Sequence, residues 1–414
     1  MPVVGRELNA LGGYTWAFNA YSVASLFAMV ASGLWADARG PRGPLIGGIA
    51  GFFFGSLIAG AATGLPMLVV GRSLQGMGGG AVMVCAYMLI ARAYPVELRP
   101  KAFSLLSASW ILPSIVGPFI AGWLADSMSW RLVFWIVPIL VIPVVVLLIP
   151  RIGAYQGGIP QARWRMRLLA GVAATVGLFL LQDGALRLSV IGFCEAALGV
   201  VVLLLAMRRV LPPGSLTLRR GLPSSVMMRF FLAGGYFAAE VFIPIALVQV
   251  RGVSTTVAGL TIAVSGIAWA SGSYAQSRLA ATGDRAAAVR LGAAILVVAI
   301  ASLPLSLVAG LPSWLAAISW AGAAAGMGLA IPSISVQVLR LSPEHDQGVN
   351  SAAIQIVDAV GFSVAVAALG VGYATAVADG GATATTYTAL WLSAAAIAAV
   401  VIVIAGRMRP RIPG

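Results

Sequence analysis

Glu240, Asp358 and Arg72 are ionisable side chains set inside apolar runs of this 414-residue chain. A charge at the middle of a membrane-spanning helix costs at least ~2.5–3.5 kcal/mol on insertion scales, so each needs a chemical reason to be there. Glu240 lies in GGYFAAEVFIP, one turn after Tyr236 and one turn before Pro244. Asp358 shares a helical stripe with Ser351 and Gln355 at i, i+4 and i+7 spacing. A carboxyl group taken out of water favours its neutral form, holds a proton, and releases it when water arrives. Glu240 and Asp358 are therefore expected to carry protons; for each the alternative is a structural acid beside a buried cation. Arg72 and Gln75, three residues apart on one helix face, precede Gly76, Gly78, Gly79 and Gly80. The glycines let a neighbouring helix approach closely, and the arginine requires a buried partner.

Other polar positions give weaker signals. Ser265, Trp269, Gly272 and Gln276 fall on one helix face, which would line a cavity for large, partly apolar molecules. With Gln75, Tyr236 and Gln355, Trp269 makes up the expected substrate cavity. Asp183 and Glu195 are expected to be structural, and His345 to be a solvated residue of a polar connection. Two cysteines, Cys85 and Cys194, and one histidine offer neither a disulfide framework nor a metal cluster. No phosphate-binding loop of the Gly-x-x-x-x-Gly-Lys-Ser/Thr type occurs, so ATP drive is not expected. No cofactor, metal or enzymatic activity is expected.

The elements that hold these residues follow from composition. The chain is 60% hydrophobic and 9% charged, with a mean hydropathy of +0.98, whereas soluble domains carry about 25% charged residues. Thirteen apolar stretches run from end to end, most near the ~20 residues that cross a bilayer. They are expected near 14–36, 44–62, 66–91, 101–124, 130–150, 167–183, 188–207, 225–250, 255–281, 287–309, 313–339, 349–376 and 386–406. Strand alternation is absent, which excludes an outer-membrane barrel. The fold class is thus an all-α polytopic membrane protein.

A net charge of +14 raises the question of nucleic acid, but alternate connections collect the arginines. Arg39 and Arg42, Arg92 and Arg99, Arg219 and Arg220, and Arg407 and Arg409 all fall on one side. That asymmetry places this side in the cytoplasm, with the C-terminus, and assigns the charge to topology and anionic lipid. The chain also echoes itself: Gly78, Gly80, Pro95 and Gly122 recur as Gly326, Gly328, Pro343 and Gly370 at an offset of 248. Parallel halves are expected, with domains 1–150 and 225–414 joined by a linker, 151–224, that carries two more apolar stretches.

Four motifs carry a resemblance. GLWADARGPRGPL resembles the loop signature of the major facilitator superfamily through Gly33, Asp37, Gly40 and Arg42, while Trp35, Ala38 and Pro41 depart from it. RSLQGMGGGA is similar to the family's fourth-helix Arg-x-x-Gln-Gly pattern, and SWRLVFWIVP to its sixth-helix entry. PSIVGPFIAGWL resembles the antiporter pattern, here as Gly117, Pro118 and Gly122. Two extra helices between the halves resemble the fourteen-helix drug:proton antiporter branch. By that comparison the segment MPVVGREL is the outer end of a first helix whose upstream part is absent.

The resemblance implies two pseudo-symmetric bundles. It assigns Gly33, Asp37, Gly40 and Arg42 to a conformational gate, for which a solvated turn is the alternative. It assigns Arg72 to proton handling, against a structural arginine bonded to carbonyls, and the Gly117 kink to export, against plain close packing. The expected function is export of a small lipophilic molecule in exchange for protons by a monomer in the cell inner membrane. The partners are that small-molecule substrate, protons and membrane lipids, and no nucleic acid. Uptake by symport, or a truncated protein that binds without transporting, are the competing readings.

Overall fold

The computed structural model describes residues 14–95, 97–109, 113, 117, 120, 124, 128–148, 164–187, 189–279 and 285–409. Among them run thirteen α-helices: α1 (Tyr14–Arg39), α2 (Arg42–Gly60), α3 (Leu65–Ala93), α4 (Arg99–Ala108), α5 (Trp130–Leu148), α6 (Trp164–Leu186) and α7 (Val190–Val210), then α8 (Leu222–Arg251), α9 (Thr255–Leu279), α10 (Arg285–Ser302), α11 (Leu315–Leu341), α12 (Gln347–Ala378) and α13 (Ala384–Ile404). Eleven of these segments are long and apolar enough to cross a membrane. The expected stretches match the described helices to within a few residues, except that of 101–124 only Arg99–Ala108 is seen as a helix and most of the rest lies outside the described residues. Apolar runs bounded by arginine and glycine leave little choice of where a membrane helix begins and ends.

Water does not drive helices together inside a bilayer, so close packing of small residues does much of that work. Gly78 of α3 lies against the backbone of Gly48 and Phe52 on α2, and Gly80 lies against Ser25 on α1. Their echoes in the second half behave alike. Gly326 of α11 faces Gly292 and Leu296 on α10, and Gly328 faces Trp269 on α9. Thus α3 is clamped between α1 and α2 as α11 is between α9 and α10. For these two pairs the repeat at an offset of 248 is a repeat of helix contacts, while Gly122 lies outside the described residues.

Because Gly76 lies as close to Tyr21 of α1 as Gly80 does to Ser25, a methyl group at position 76 would strike backbone. Gly76→Ala is expected to destabilise the protein by about 1–3 kcal/mol, an overpacking cost. A lowered melting temperature in detergent would show it.

The second half adds α8, which packs on α9, α11, α12 and α13. The hairpin α6–α7 lies beside both halves: α6 packs on α1 through Gly171 and Val30, and Gln182 Nε2 donates to Ser363 Oγ of α12 at 3.2 Å.

Candidate functional site

A cavity of about 370 Å³ lies between the halves. From the first half come Met83 and Tyr87 of α3 with Phe103 and Leu106 of α4; from the second, α8, α9, α11 and α12 supply the remaining wall. Aromatic rings form one side. Tyr236 stacks on Trp320 at 4.3 Å between centroids and meets Trp269 edge-on at 5.4 Å. Phe237 lies 6.4 Å from Trp269 with the ring planes inclined at 30°. Such a surface takes flat apolar groups and gains further from a cation over a ring.

Three of the polar residues expected from sequence, Glu240, Asp358 and Gln355, line this cavity, as do Tyr236 and Trp269. Asp358 has the buried cation that its stripe left unnamed. Arg229 of α8, 3% exposed, pairs with it through Nη2, while Nε donates to Asp358 Oδ1 at 2.8 Å. Arg229 Nη1 donates to Ser335 Oγ at 2.8 Å and Nη2 to Gln355 Oε1 at 3.2 Å. The guanidinium also stands 6.0 Å from the ring centre of Tyr87, across the gap between the halves. A buried ion pair persists only when its remaining donors are met, and here they are. Asp358 nonetheless keeps 23% of its side chain exposed, towards the cavity. Glu240 differs: no cation lies within ion-pair reach of it among the described residues. The cavity therefore holds one compensated acid and one uncompensated acid.

Arg72 and Gln75 stand outside this lining. Arg72 Nη1 donates to Gln75 Oε1 at 2.9 Å, and Gln75 Nε2 to Ser56 Oγ of α2 at 2.8 Å. The Arg72 guanidinium lies 4.6 Å from the ring centre of Tyr21 on α1. The partner that the sequence left open is thus a carboxamide and an aromatic face. Gln75, expected in the substrate cavity, is 3% exposed and fastens α3 to α2.

At the arginine-rich end the halves are clasped. Asp37, 1% exposed on the last turn of α1, accepts the backbone amides of Gly348 at 2.7 Å and Val349 at 2.8 Å. These are first-turn amides of α12, unpaired within their own helix, so a carboxylate meets both the orphan donors and the positive helix end. Gly33, one turn earlier, meets Gly348: a Cβ there would sit 2.9 Å from the Gly348 carbonyl oxygen. Gly40 follows with φ of 85°, the left-handed cap that turns the chain from α1 into α2. Arg42 is exposed at the first position of α2. Gly117 is half-buried, and a Cβ built on it would meet nothing within 4 Å among the described residues; Pro118 and Gly122 lie outside the described residues.

Asp37→Asn keeps the shape but loses the charge and one acceptor. It should weaken the clasp by about 1 kcal/mol, the ordinary worth of a helix N-cap. A cysteine placed at Val349 should then react faster with a polar thiol reagent.

The Asp183–Arg187 pair at 2.5 Å, with Glu195 at 3.7 Å from Arg187, ties α6 to α7 away from the cavity.

Two echoing helical bundles, a cavity with ionisable walls and a clasp at one end define a polytopic all-α membrane protein built of two similar halves. Residues 1–366 match the family model of the Major Facilitator Superfamily, and the chain belongs to that family. An uncharacterised MFS-type transporter of Mycobacterium tuberculosis is 30% identical over 276 residues, which are 63% of this chain and 39% of that protein. The multidrug transporter protein MdtP of Bacillus subtilis is 28% identical over 270 residues, 63% of this chain and 50% of MdtP. The chain thus spans two fifths to a half of the length of these relatives. Among solved structures, the proton:xylose symporter XylE superposes with a TM-score of 0.66 at 16% identity, over 96% of this chain and 89% of that one. The human organic anion transporter MFSD10 does so with a TM-score of 0.67 at 14% identity, over 94% and 83%. At those identities the likeness is one of fold.

Proposed function

We propose that this protein is a secondary transporter that exports a small, lipophilic or drug-like molecule in exchange for protons. The observation that carries the reading is Glu240, an acid without a cation, set into an aromatic-walled cavity between two halves. A proton on that acid favours one state of the pore and a bound molecule the other; one site serving both in turn gives exchange. The bodies that move are 1–150 and 225–414, with 151–224 as linker. The arginine-rich end, with the C-terminus, faces the cytoplasm of the cell inner membrane by the charge rule. The Asp37 clasp then closes the cytoplasmic side, Gly33, Gly40 and Arg42 belong to the same gate, and Arg72 assists proton handling through α3.

The name of the Bacillus subtilis relative MdtP, a multidrug transporter protein, supports a drug-like substrate. The driving energy suffices: ~2.3 kcal/mol per charge per 100 mV and ~1.4 kcal/mol per pH unit. The test is flux of a lipophilic fluorescent dye in liposomes under an imposed pH gradient. Gradient-dependent movement is expected; dye binding with no gradient-dependent flux would overturn the reading in favour of a non-transporting protein.

A further inference from the structure

One stretch of α12 carries buried polar atoms without a hydrogen-bond partner among the described residues: Gln347 Oε1 and Ser351 Oγ, in residues that are 8% and 0% exposed. They are four residues apart, and Gln355 and Asp358 continue the stripe into the cavity. From Gln347 to Asp358 the helix rises about 16 Å at 1.5 Å per residue.

The lower half of that stripe is dry because the halves meet there. Gly348 abuts Gly33 of α1, and Asp37 holds the first turn of α12. Ser351 follows Gly348 by three residues, so it lies on the face adjoining that seam. The other polar group nearby, Asn350, is satisfied: its Nδ2 donates to Ser342 Oγ at 2.9 Å. A buried hydroxyl or carboxamide oxygen left unpaired is costly, and native proteins keep few of them. These two would be satisfied if the seam opened and water entered.

We propose that Gln347 and Ser351 are the cytoplasmic hydration path to Asp358, dry while Asp37 grips α12 and wetted when that grip opens. Water reaching Gln355 and Asp358 along this stripe connects the ion pair with Arg229 to the cytoplasm, separately from Glu240 further up α8. The unpaired atoms also lean the protein towards opening, since only the open state satisfies them. The inference rests on the alternating-access reading, and its test needs neither substrate nor gradient.

The test uses the full chain with Cys85 and Cys194 replaced by alanine, in inverted membrane vesicles that expose the cytoplasmic face to a membrane-impermeant thiol reagent. Ser351→Cys should react about fivefold faster when combined with Asp37→Asn than with Asp37 intact, the factor that a clasp weakened by about 1 kcal/mol allows. Ala353→Cys, two residues on and turned from the stripe, should stay unreactive in both. In a separate arm, Val349→Cys reports opening of the clasp, and Ser351→Ala should slow its labelling about fivefold by relieving the closed state. If Asp37→Asn exposes Val349→Cys but not Ser351→Cys, the path is overturned while the clasp stands. If Ser351→Cys is equally reactive with Asp37 intact, or Ala353→Cys reacts as fast, the path is also overturned. If neither Val349→Cys nor Ser351→Cys responds, the clasp is no gate, and both readings fall.

Discussion

Arg229→Met should cost the folded protein about 3–5 kcal/mol, the largest effect of any single change at the site. The substitution strips Asp358 of its cation and leaves the hydroxyl of Ser335 and the carboxamide of Gln355 short of a donor. Removing one partner of a buried pair leaves an uncompensated charge, which costs more than the pair itself contributes. The companion change reverses the sign. In the double variant Arg229→Met with Asp358→Leu, most of the loss should return, because two apolar groups need no solvation in that setting. A double-mutant cycle read by thermal unfolding in detergent measures the coupling directly. Additive losses would show that the pair contributes nothing as a pair.

The second large effect is on transport. Glu240→Gln should abolish gradient-driven flux while leaving dye binding largely intact. Glutamine keeps the size and hydrogen-bonding reach of the neutral acid but cannot exchange a proton. The aromatic wall of Tyr236, Phe237 and Trp269 is untouched, so the apolar part of the binding energy remains. Binding is read by quenching of the dye in detergent, and flux by its movement across liposomes. Unchanged flux would remove Glu240 from the mechanism.

The two variants probe different chemistry. Asp358 is neutralised within its own half by Arg229, whereas Glu240 has no ion-pair partner among the described residues. Comparing them tests whether the first charge holds the second bundle together and the second carries protons.

Much of this was legible in the sequence, for physical reasons. A bilayer allows a chain few solutions, so apolar run lengths and arginine placement return most of the described helices to within a few residues. The glycine echo was legible because close packing in lipid needs small residues at fixed places, and Gly78, Gly80, Gly326 and Gly328 make equivalent contacts. Glu240 and Asp358 stood out because acids are rare in apolar helices. Arg229 did not. It lies two turns from the basic end of α8, where an arginine reads as one more residue reaching back to the interface. Its pairing with a residue 129 positions away is a fact of three-dimensional packing. The signal was there in retrospect: a lone cation within one run and a lone acid at matching depth in another. Gln75 was misplaced for a related reason. Its helix face faces both α1 and α2, and spacing alone does not say whether a polar group on such a face meets a cavity or a neighbouring hydroxyl.

The hairpin that joins the halves has a mechanical consequence. Because α6 rests on α1 at Gly171 and also reaches α12 through Gln182, it cannot stay stationary with respect to both partners if they turn against each other. One of its two seams must act as a slip plane. A glycine sliding past a valine breaks no bond, whereas parting Gln182 from Ser363 strands two polar groups in oil, so friction is lower on the α1 side. If the halves do turn, the connecting pair is expected to ride with the second bundle and to offer the first a bearing surface.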